Sequence, residues 1–206
     1  MMKRIVGVVA LKSSNYKSVI RAFSYLGYTI SSVTKPSEIL ACSHLVIPGV
    51  STFGSVVSEL HQLNMFDVIQ ELIGSDIKIL GLCAGMQIMG ESSAESPQIS
   101  GLSWFDFQVR GLSNLNGKRV FHTGWNSTFR SQSEMTGVLL ESGEFYFNHS
   151  FFVSALDSPS KLFTFTPFMG ESILSSFQYL NIKGIQFHPE KSQVKGLTIL
   201  DEFAQW

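Results

Sequence analysis

The sequence predicts an α/β fold, with a mostly parallel twisted sheet, helices on both faces of that sheet, and additional antiparallel strands in the C-terminal half. In the first 95 residues, continuous apolar runs alternate with apolar residues at helical spacing, which is typical of a parallel sheet covered by helices. The second half holds shorter runs that are rich in phenylalanine and separated by Gly, Ser and Asn. With 206 residues, 44% of them hydrophobic, and no internal repeat or linker, the chain predicts one domain over residues 1–206.

The first half predicts four strands with helices between them. Apolar runs assign the strands to residues 5–10, 28–33, 44–48 and 77–82. Helical spacing assigns helices to residues 19–26, 36–40, 58–73 and 86–89. The first apolar run follows two basic residues, but it is too short for the core of a signal peptide. It is therefore predicted to be the first buried strand.

The second half predicts six shorter strands and a closing helix. The strands are assigned to residues 105–109, 118–122, 144–153, 162–166, 173–179 and 182–187. An amphipathic pattern predicts the helix at residues 194–204. The polar stretch of residues 91–100 contains a proline and is predicted to be a surface loop.

Composition and charge exclude several classes of protein. The formal net charge of −1 and the scattered Lys and Arg give no basic face for nucleic acid, and no apolar run is long enough to span a membrane. The two cysteines, Cys42 and Cys83, form no C-x-x-C pair, and no metal-ligand cluster or phosphate-binding loop is visible. We therefore expect no metal, no cofactor and no disulfide framework. The cysteine usage fits a cytoplasmic protein.

Residues 81–85, Gly-Leu-Cys-Ala-Gly, follow an apolar run and precede a helical pattern. This is the G-x-nucleophile-x-G pattern of a strand-to-helix elbow, in which a strained turn lifts the side chain of Cys83 clear of the sheet. The helix dipole and the free N–H groups of the first turn favour a thiolate there. A buried structural cysteine beside two packing glycines gives the same pentapeptide, so this segment alone leaves both interpretations open.

A second motif, Phe187-His188-Pro189-Glu190, ends the last predicted strand. His188 can reach the same sheet edge as Cys83, and Glu190 follows across a proline that fixes the chain direction. His188 would then accept the thiol proton, and Glu190 would hold the imidazole tautomer. An incidental surface loop is the alternative for this motif alone. Together with the elbow, the order nucleophile, histidine, acid favours the catalytic interpretation.

These two motifs resemble those of the triad glutamine amidotransferases (class I). Three further segments resemble the glutaminase subunits of imidazole glycerol phosphate synthases: residues 48–54 (Pro-Gly-Val-Ser-Thr-Phe-Gly), 122–126 (His-Thr-Gly-Trp-Asn) and 146–152 (Tyr-Phe-Asn-His-Ser-Phe-Phe). The correspondence runs from the first strand to the final helix. Each segment is weak alone, but the combination is specific.

The resemblance implies that the chain hydrolyses L-glutamine. Cys83 would attack the side-chain amide, His188 would protonate the departing ammonia, and water would cleave the resulting glutamyl thioester. The resemblance also implies oxyanion donors and residues that hold the substrate. The oxyanion residues are Gly49, Val50 and Ala84, and the substrate residues are Gln87, His149 and Ser150.

The resemblance further implies a partner. In the family this is a (β/α)₈-barrel cyclase or synthase subunit, which receives ammonia through an internal channel and forms a heterodimer with the glutaminase. The positions that match the family's interface are Asn15, His122, Trp125, Asn126 and Lys191. For Trp125, packing in the core is an equally good interpretation of the sequence.

Two segments depart from the family's pattern. Residues 10–15 replace the usual partner-facing turn and keep only Asn15, and Ser51 stands where a second glycine is usual. These departures leave open a paralogous glutaminase that supplies ammonia for sugar amidation in surface polysaccharides. Two alternatives of another class are a catalytically silent binding module of the same fold and a cysteine hydrolase that needs no glutamine.

Overall fold

The structure, a computed structural model, describes residues 4–113, 116–131 and 142–206. The described strands are β1 (Ile5–Val9), β2 (Thr29–Val33), β3 (His44–Gly49), β4 (Lys78–Cys83), β5 (Ser92–Ser93), β6 (Gln108–Gly111), β7 (His122–Arg130), β8 (Gly143–His149), β9 (Phe151–Phe152), β10 (Phe163–Phe168), β11 (Glu171–Tyr179) and β12 (Ile182–Ile185). The helices are α1 (Tyr16–Tyr25), α2 (Pro36–Ile39), α3 (Phe53–Gln62), α4 (Phe66–Gln70), α5 (Ala84–Gln87) and α6 (Gln193–Gln205). Among the described helices, none is long and apolar enough to cross a bilayer.

In the described parts of the chain, nine strands form one sheet in the order β2-β1-β3-β4-β12-β11-β10-β7-β8. The first five strands in this order pair in parallel, and β12-β11-β10-β7-β8 pair antiparallel. Gly49 lies opposite Cys83 in the β3–β4 register, and Ile185 lies opposite Leu82 in the β12–β4 register. Three parallel strands therefore deliver the predicted catalytic motifs to one edge of the sheet.

Helices cover both faces of the parallel half, as predicted. On one face, α3, α4 and α5 pack against inward side chains of β3 and β4, including Leu45, Ile47 and Ile79. On the other face, α1 and α6 pack against Val6 and Val46, among others. Both layers exclude water from apolar side chains, and the burial of each large side chain stabilises the fold by about 1.5–3 kcal/mol.

The structure corrects several predicted elements. Residues 58–73 form two helices rather than one, because Asn64 adopts a left-handed backbone (φ 55°) that interrupts the first. The first of these helices also begins earlier, at Phe53, where the Thr52 side chain accepts a hydrogen bond from the N–H of Ser55. The predicted strand 144–153 is interrupted at Ser150, and the predicted strand 182–187 ends at Ile185.

The largest difference concerns β7. The sequence predicts a strand at residues 118–122, but the observed strand begins at His122 and continues to Arg130. Most of β7 is polar or half-exposed, so it lacks the apolar run from which strands were assigned. Residues His122–Thr128 pair with β8, and Phe129 and Arg130 pair with β10, which extends the sheet beyond the parallel half.

Candidate active site

Cys83 stands at the junction of β4 and α5 with φ 52° and ψ −111°. This left-handed backbone is strained for a non-glycine residue, at about 1–3 kcal/mol, and matches the predicted elbow. The neighbouring glycines are needed because a Cβ on Gly85 would collide with the carbonyl oxygen of Ile47. A Cβ on Gly49 would lie 2.6 Å from the amide nitrogen of Gly85. The end of β3 therefore touches the start of α5 at the backbone level.

His188 and Glu190 form a hydrogen-bonded pair beyond the end of β12. The imidazole Nδ1 lies 3.0 Å from Glu190 Oε1, and because a carboxylate only accepts, Nδ1 carries the proton. The backbone N–H of His188 donates to the carbonyl of Tyr146 at 2.8 Å, and the Ser192 hydroxyl donates to the His188 carbonyl at 2.6 Å. The ring is 1% exposed, and Nε2 has no hydrogen-bond partner among the described residues. Its orientation is thus fixed, with Nε2 left for the reaction.

The charges around His188 favour a protonated imidazole. Burial by itself lowers the pKa of His188, but the neighbouring Cys83 sulfur and the Glu190 carboxylate outweigh it and raise the pKa to about 10. The Cys83 sulfur acts on the ring at close range, so the two side chains are neighbours, although no hydrogen bond joins Nε2 to the sulfur among the described contacts. The geometry therefore places a cysteine beside an oriented, buried imidazole, which is the arrangement of an activated cysteine nucleophile.

A cavity of about 250 Å³ opens beside Cys83. Five of the residues assigned to oxyanion or substrate binding lie around it, and it is lined by Val50, Ser51, Thr52, Cys83, Ala84, Gln87, Glu95, Phe121, Asn148, His149, Ser150 and Phe151. Gly49, His188 and Glu190 instead line a smaller recess together with Asn15, and Val50 contributes to both spaces. Ala84 is the first residue of α5, so its N–H is not used within that helix.

His149 is held in one neutral tautomer by a short hydrogen-bond chain. Its Nδ1 donates to the carbonyl of Phe151 at 2.9 Å, and its Nε2 therefore accepts from Nδ1 of His122 at 3.1 Å. His122 Nε2 in turn accepts from the Asn126 amide at 3.2 Å. Burial is the main cause that lowers the pKa of His149 to about 3 and the pKa of His122 to about 4. Both rings are thus neutral near pH 7.

The comparisons with known proteins agree with this geometry. The family model for class-I glutamine amidotransferases matches residues 8–205. The chain belongs to the class-I glutamine amidotransferase family. Subunit HisH 2 of imidazole glycerol phosphate synthase from Vibrio vulnificus is 35% identical over 202 residues, which cover 97% of this chain and 93% of that protein. The chloroplastic imidazole glycerol phosphate synthase hisHF of Arabidopsis thaliana is 31% identical over 199 residues, which cover 97% of this chain and 34% of the plant protein.

Solved structures show the same fold. A crystal structure of a glutamine amidotransferase matches with a TM-score of 0.73 at 19% identity, over 98% of this chain and 99% of that one. The predicted fold class and the predicted enzyme class, a glutamine amidotransferase, are therefore confirmed. Among the described residues, no group of three or more His, Cys, Asp or Glu is arranged to hold a metal.

The residues that the sequence assigned to a partner surface of this amidotransferase differ in exposure. Trp125 is 47% exposed and meets the Tyr146 ring edge-on at 6.2 Å, while Lys191 Nζ lies 5.7 Å from the centre of that ring. Asn15 is exposed and Asn126 is half-buried.

His122 is different, because it is only 2% exposed. It is stacked between the rings of Phe147 and Phe168, at 4.4 Å and 4.1 Å between ring centres. Because the ring is buried, its assignment to the exposed partner surface is corrected, and it lies behind Asn126, to which it is hydrogen-bonded.

Two residues of the site were missed by the sequence analysis. Glu95 lies in the segment that was predicted to be a surface loop, yet its carboxylate lines the cavity and accepts the N–H of Phe53 at 2.9 Å. Gln186 is fully buried, and its side-chain Nε2 lies 3.5 Å from Cys83 Sγ. The spacing of two residues from His188 was the available signal for Gln186, since alternate residues of an extended segment point to one side.

Proposed function

We propose that this amidotransferase is the glutaminase subunit of an imidazole glycerol phosphate synthase in histidine biosynthesis. It hydrolyses L-glutamine to glutamate and ammonia, and the ammonia passes to a synthase partner. Relatives named as HisH subunits support this, since they match nearly the whole length of the chain at 35% and 33% identity. The observation that carries the catalytic part is the buried Cys83, His188 and Glu190 arrangement beside an open cavity.

The first half of the reaction follows from the position of Cys83 beside His188. The Cys83 thiolate attacks the side-chain amide carbon of glutamine, and the carbonyl oxygen becomes an oxyanion. The N–H of Ala84 and the Gly49–Val50 segment are the donors for that oxyanion, each worth about 3 kcal/mol. His188 then gives its proton to the departing nitrogen, the C–N bond breaks, and ammonia leaves a glutamyl thioester on Cys83.

The second half returns the enzyme to its starting state. His188, now neutral, takes a proton from water as the water attacks the thioester. The C–S bond breaks, the electron pair stays on sulfur, and glutamate is released. Glu190 holds the Nδ1–H of His188 throughout, so the same Nε2 serves as acid and then as base.

The cavity offers groups that match glutamine. Glu95 supplies a negative charge that suits the α-ammonium group of the substrate. Gln87 is 3% exposed and uses its Nε2 donors within the protein, so its Oε1 is the atom that can face the substrate. Neutral His149 and Ser150 complete this wall without adding charge.

We infer a cytoplasmic heterodimer with a (β/α)₈-barrel cyclase subunit that takes up the ammonia through a channel. Trp125 is exposed beside Lys191 and Asn126, and a large exposed aromatic residue is a typical interface anchor. The plant hisHF protein supports a covalently joined counterpart, because this chain matches only 34% of its length.

The test is a coupled assay of glutamate release. The full-length chain is measured alone and with the HisF cyclase subunit of the same organism and its nucleotide substrate. We expect slow release by the chain alone, a large rise with the partner, and no release by Cys83→Ser under either condition. Absence of stimulation by HisF would favour the sugar-amidation paralogue. Turnover of peptides or thioesters without glutamine would favour a general cysteine hydrolase. No turnover of any of these substrates would favour a catalytically silent binding module.

A further inference from the structure

The Cys83 sulfur has a second polar neighbour besides His188. The Nε2 of Gln186 lies 3.5 Å from Cys83 Sγ, within the range of an N–H···S hydrogen bond. We propose that Gln186 is a further catalytic residue, whose side-chain N–H stabilises the Cys83 thiolate, and that the Phe151 carbonyl fixes its orientation through Gln87. This inference rests on the proposed role of Cys83 as the nucleophile.

The orientation of both amides follows from one backbone group. The carbonyl oxygen of Phe151 can only accept hydrogen bonds, and the Gln87 amide faces it at 2.9 Å, so the facing atom of Gln87 is Nε2. The same Nε2 faces Gln186 at 3.0 Å, so the facing atom of Gln186 is its acceptor, Oε1. The other end of the Gln186 amide, the NH₂ group, is thereby turned towards Cys83.

Burial makes this arrangement stringent. Gln186 is 0% exposed, Gln87 is 3% exposed and Cys83 is 5% exposed. If the Gln186 amide were rotated by half a turn, two NH₂ groups would face each other without water to separate them, and its oxygen would face an anionic sulfur. A buried polar group without a partner is unfavourable, so the observed orientation is strongly preferred.

The donor acts on the charged form of the sulfur. An N–H pointing at sulfur stabilises a thiolate more than a thiol, because hydrogen bonds to charged groups are roughly twice as strong as those between neutral groups. It moves no proton. Gln186 thus raises the population of the nucleophilic form and holds the sulfur in position, while His188 performs the proton transfers.

The arrangement also changes the interpretation of Gln87. Both of its N–H groups are already engaged, one by Phe151 and one by Gln186. Replacement of Gln87 therefore affects Cys83 through Gln186, in addition to any lost contact with glutamine.

The test is the pH dependence of Cys83 alkylation by iodoacetamide in the full-length chain, followed by mass spectrometry of the Cys83 peptide. Gln186→Met keeps the size of the side chain and removes the donor. We expect the pH of half-maximal alkylation to rise by about one unit, which means roughly tenfold slower alkylation below that pH. Gln186→Glu keeps the shape of the side chain and adds a negative charge beside the sulfur, so the pH of half-maximal alkylation is expected to rise further. Gln87→Met is expected to move in the same direction by less.

Gln178→Met on β11 is the matched control, because this half-buried amide is not part of the Phe151–Gln87–Gln186–Cys83 hydrogen-bond chain. It is expected to leave the alkylation profile unchanged. An unchanged profile in Gln186→Met would overturn the proposal, because a loss of stability alone does not shift the pH midpoint. If both Gln186 variants fail to fold by circular dichroism, an unchanged profile in Gln87→Met overturns it instead. If the wild type releases glutamate normally and the alkylation profile of Gln186→Met is unshifted, only the proposed role of Gln186 is refuted. If the wild type releases no glutamate, the proposed function is refuted.

Discussion

Two buried histidines stand near the same sulfur and behave in opposite ways. His188 lies on the parallel side of the site, is 1% exposed, and has its pKa raised to about 10. His149 lies at the end of β8 on the antiparallel side, is 7% exposed, and has its pKa lowered to about 3. Burial opposes the charge on both rings. What differs is the neighbour, since His188 faces a carboxylate and the sulfur, whereas His149 faces a carbonyl and another imidazole.

This comparison explains a division of labour in the site. A ring that can gain and lose a proton is needed for the leaving group, and the Cys83 sulfur and the Glu190 carboxylate together favour its protonated form. A ring that stays neutral is suited to a wall of the cavity, because it keeps a constant shape and charge through the reaction. Neighbouring charge, rather than depth of burial, therefore decides which histidine performs chemistry.

Glu190→Gln is expected to have the largest effect, because it removes the carboxylate that distinguishes His188 from His149. Without the carboxylate, His188 loses one of the two groups that raise its pKa and also the acceptor of its Nδ1 proton, so the pKa of His188 falls and the ring is no longer held in one orientation. We expect glutamate release, measured with the partner present, to fall by about 10³- to 10⁴-fold, as in other triads that lose the orienting acid.

Asp157→Asn is the control for this variant, because Asp157 is a surface carboxylate 3.8 Å from Arg110. It is expected to leave glutamate release unchanged. A fall of less than tenfold in Glu190→Gln would show that Glu190 does not determine the protonation of His188.

A second prediction concerns stability in acid. His44, like His122, is buried and has its pKa lowered to about 4, and His149 to about 3, mainly by burial. The unfolded chain binds protons at these rings near pH 6.5, whereas the folded chain does not, so their contribution to stability is present above pH 6.5 and is lost as the pH falls towards 4. His188 has the opposite sign, and its contribution is lost as the pH rises from 6.5 towards 10.

His44→Phe measures how much of the loss of stability in acid comes from His44. His44 is the first residue of β3, at the opposite end of that strand from Gly49, and its ring packs edge-on against Phe203. Urea unfolding at pH 7.5 and pH 4.5 is expected to show that this variant loses roughly 2 kcal/mol less than the wild type on acidification. An equal loss in both proteins would mean that His44 is already protonated in the folded state.

The smallest predicted effect belongs to His122→Phe. The substitution keeps an aromatic ring between Phe147 and Phe168 but removes the donor to His149 Nε2 and the acceptor for Asn126. We expect a loss of about 1 kcal/mol in the free energy of unfolding at pH 7.5, with glutamate release reduced less than tenfold.

Thr123→Val, on the exposed side of the same strand, is the matched control and is expected to change stability by less than about 0.5 kcal/mol. If His122→Phe instead abolished activity, the antiparallel side would take part in chemistry, and the division between the two histidines would be wrong.

The same contrast marks what the sequence could predict. The motifs on the parallel side are local: five residues carry the elbow around Cys83, and four carry the His188–Glu190 pair. Buried parallel strands are continuous apolar runs, so their positions and their common edge follow from the sequence. These predictions agree with the described strands within a few residues.

The antiparallel side depends on contacts between distant residues. Because β7 is largely polar, its sequence does not indicate a strand, although it pairs with both β8 and β10. His122 is buried only because two phenylalanines from β8 and β10 enclose it. Likewise, Gln186 lies just beyond the end of β12 and about a hundred residues from Cys83 in sequence, so its spacing from His188 could indicate its side of the chain but not its contact with the sulfur.

The most direct test of the central claim is labelling with a glutamine-mimicking diazoketone electrophile in the presence of the cyclase partner. We expect one adduct, on Cys83, formed before any on Cys42, and much slower formation of that adduct in Glu190→Gln. Peptide mass spectrometry that finds Cys83 unmodified, or Cys42 modified first, would contradict the assignment of Cys83 and His188 as the nucleophile and its proton-transfer partner.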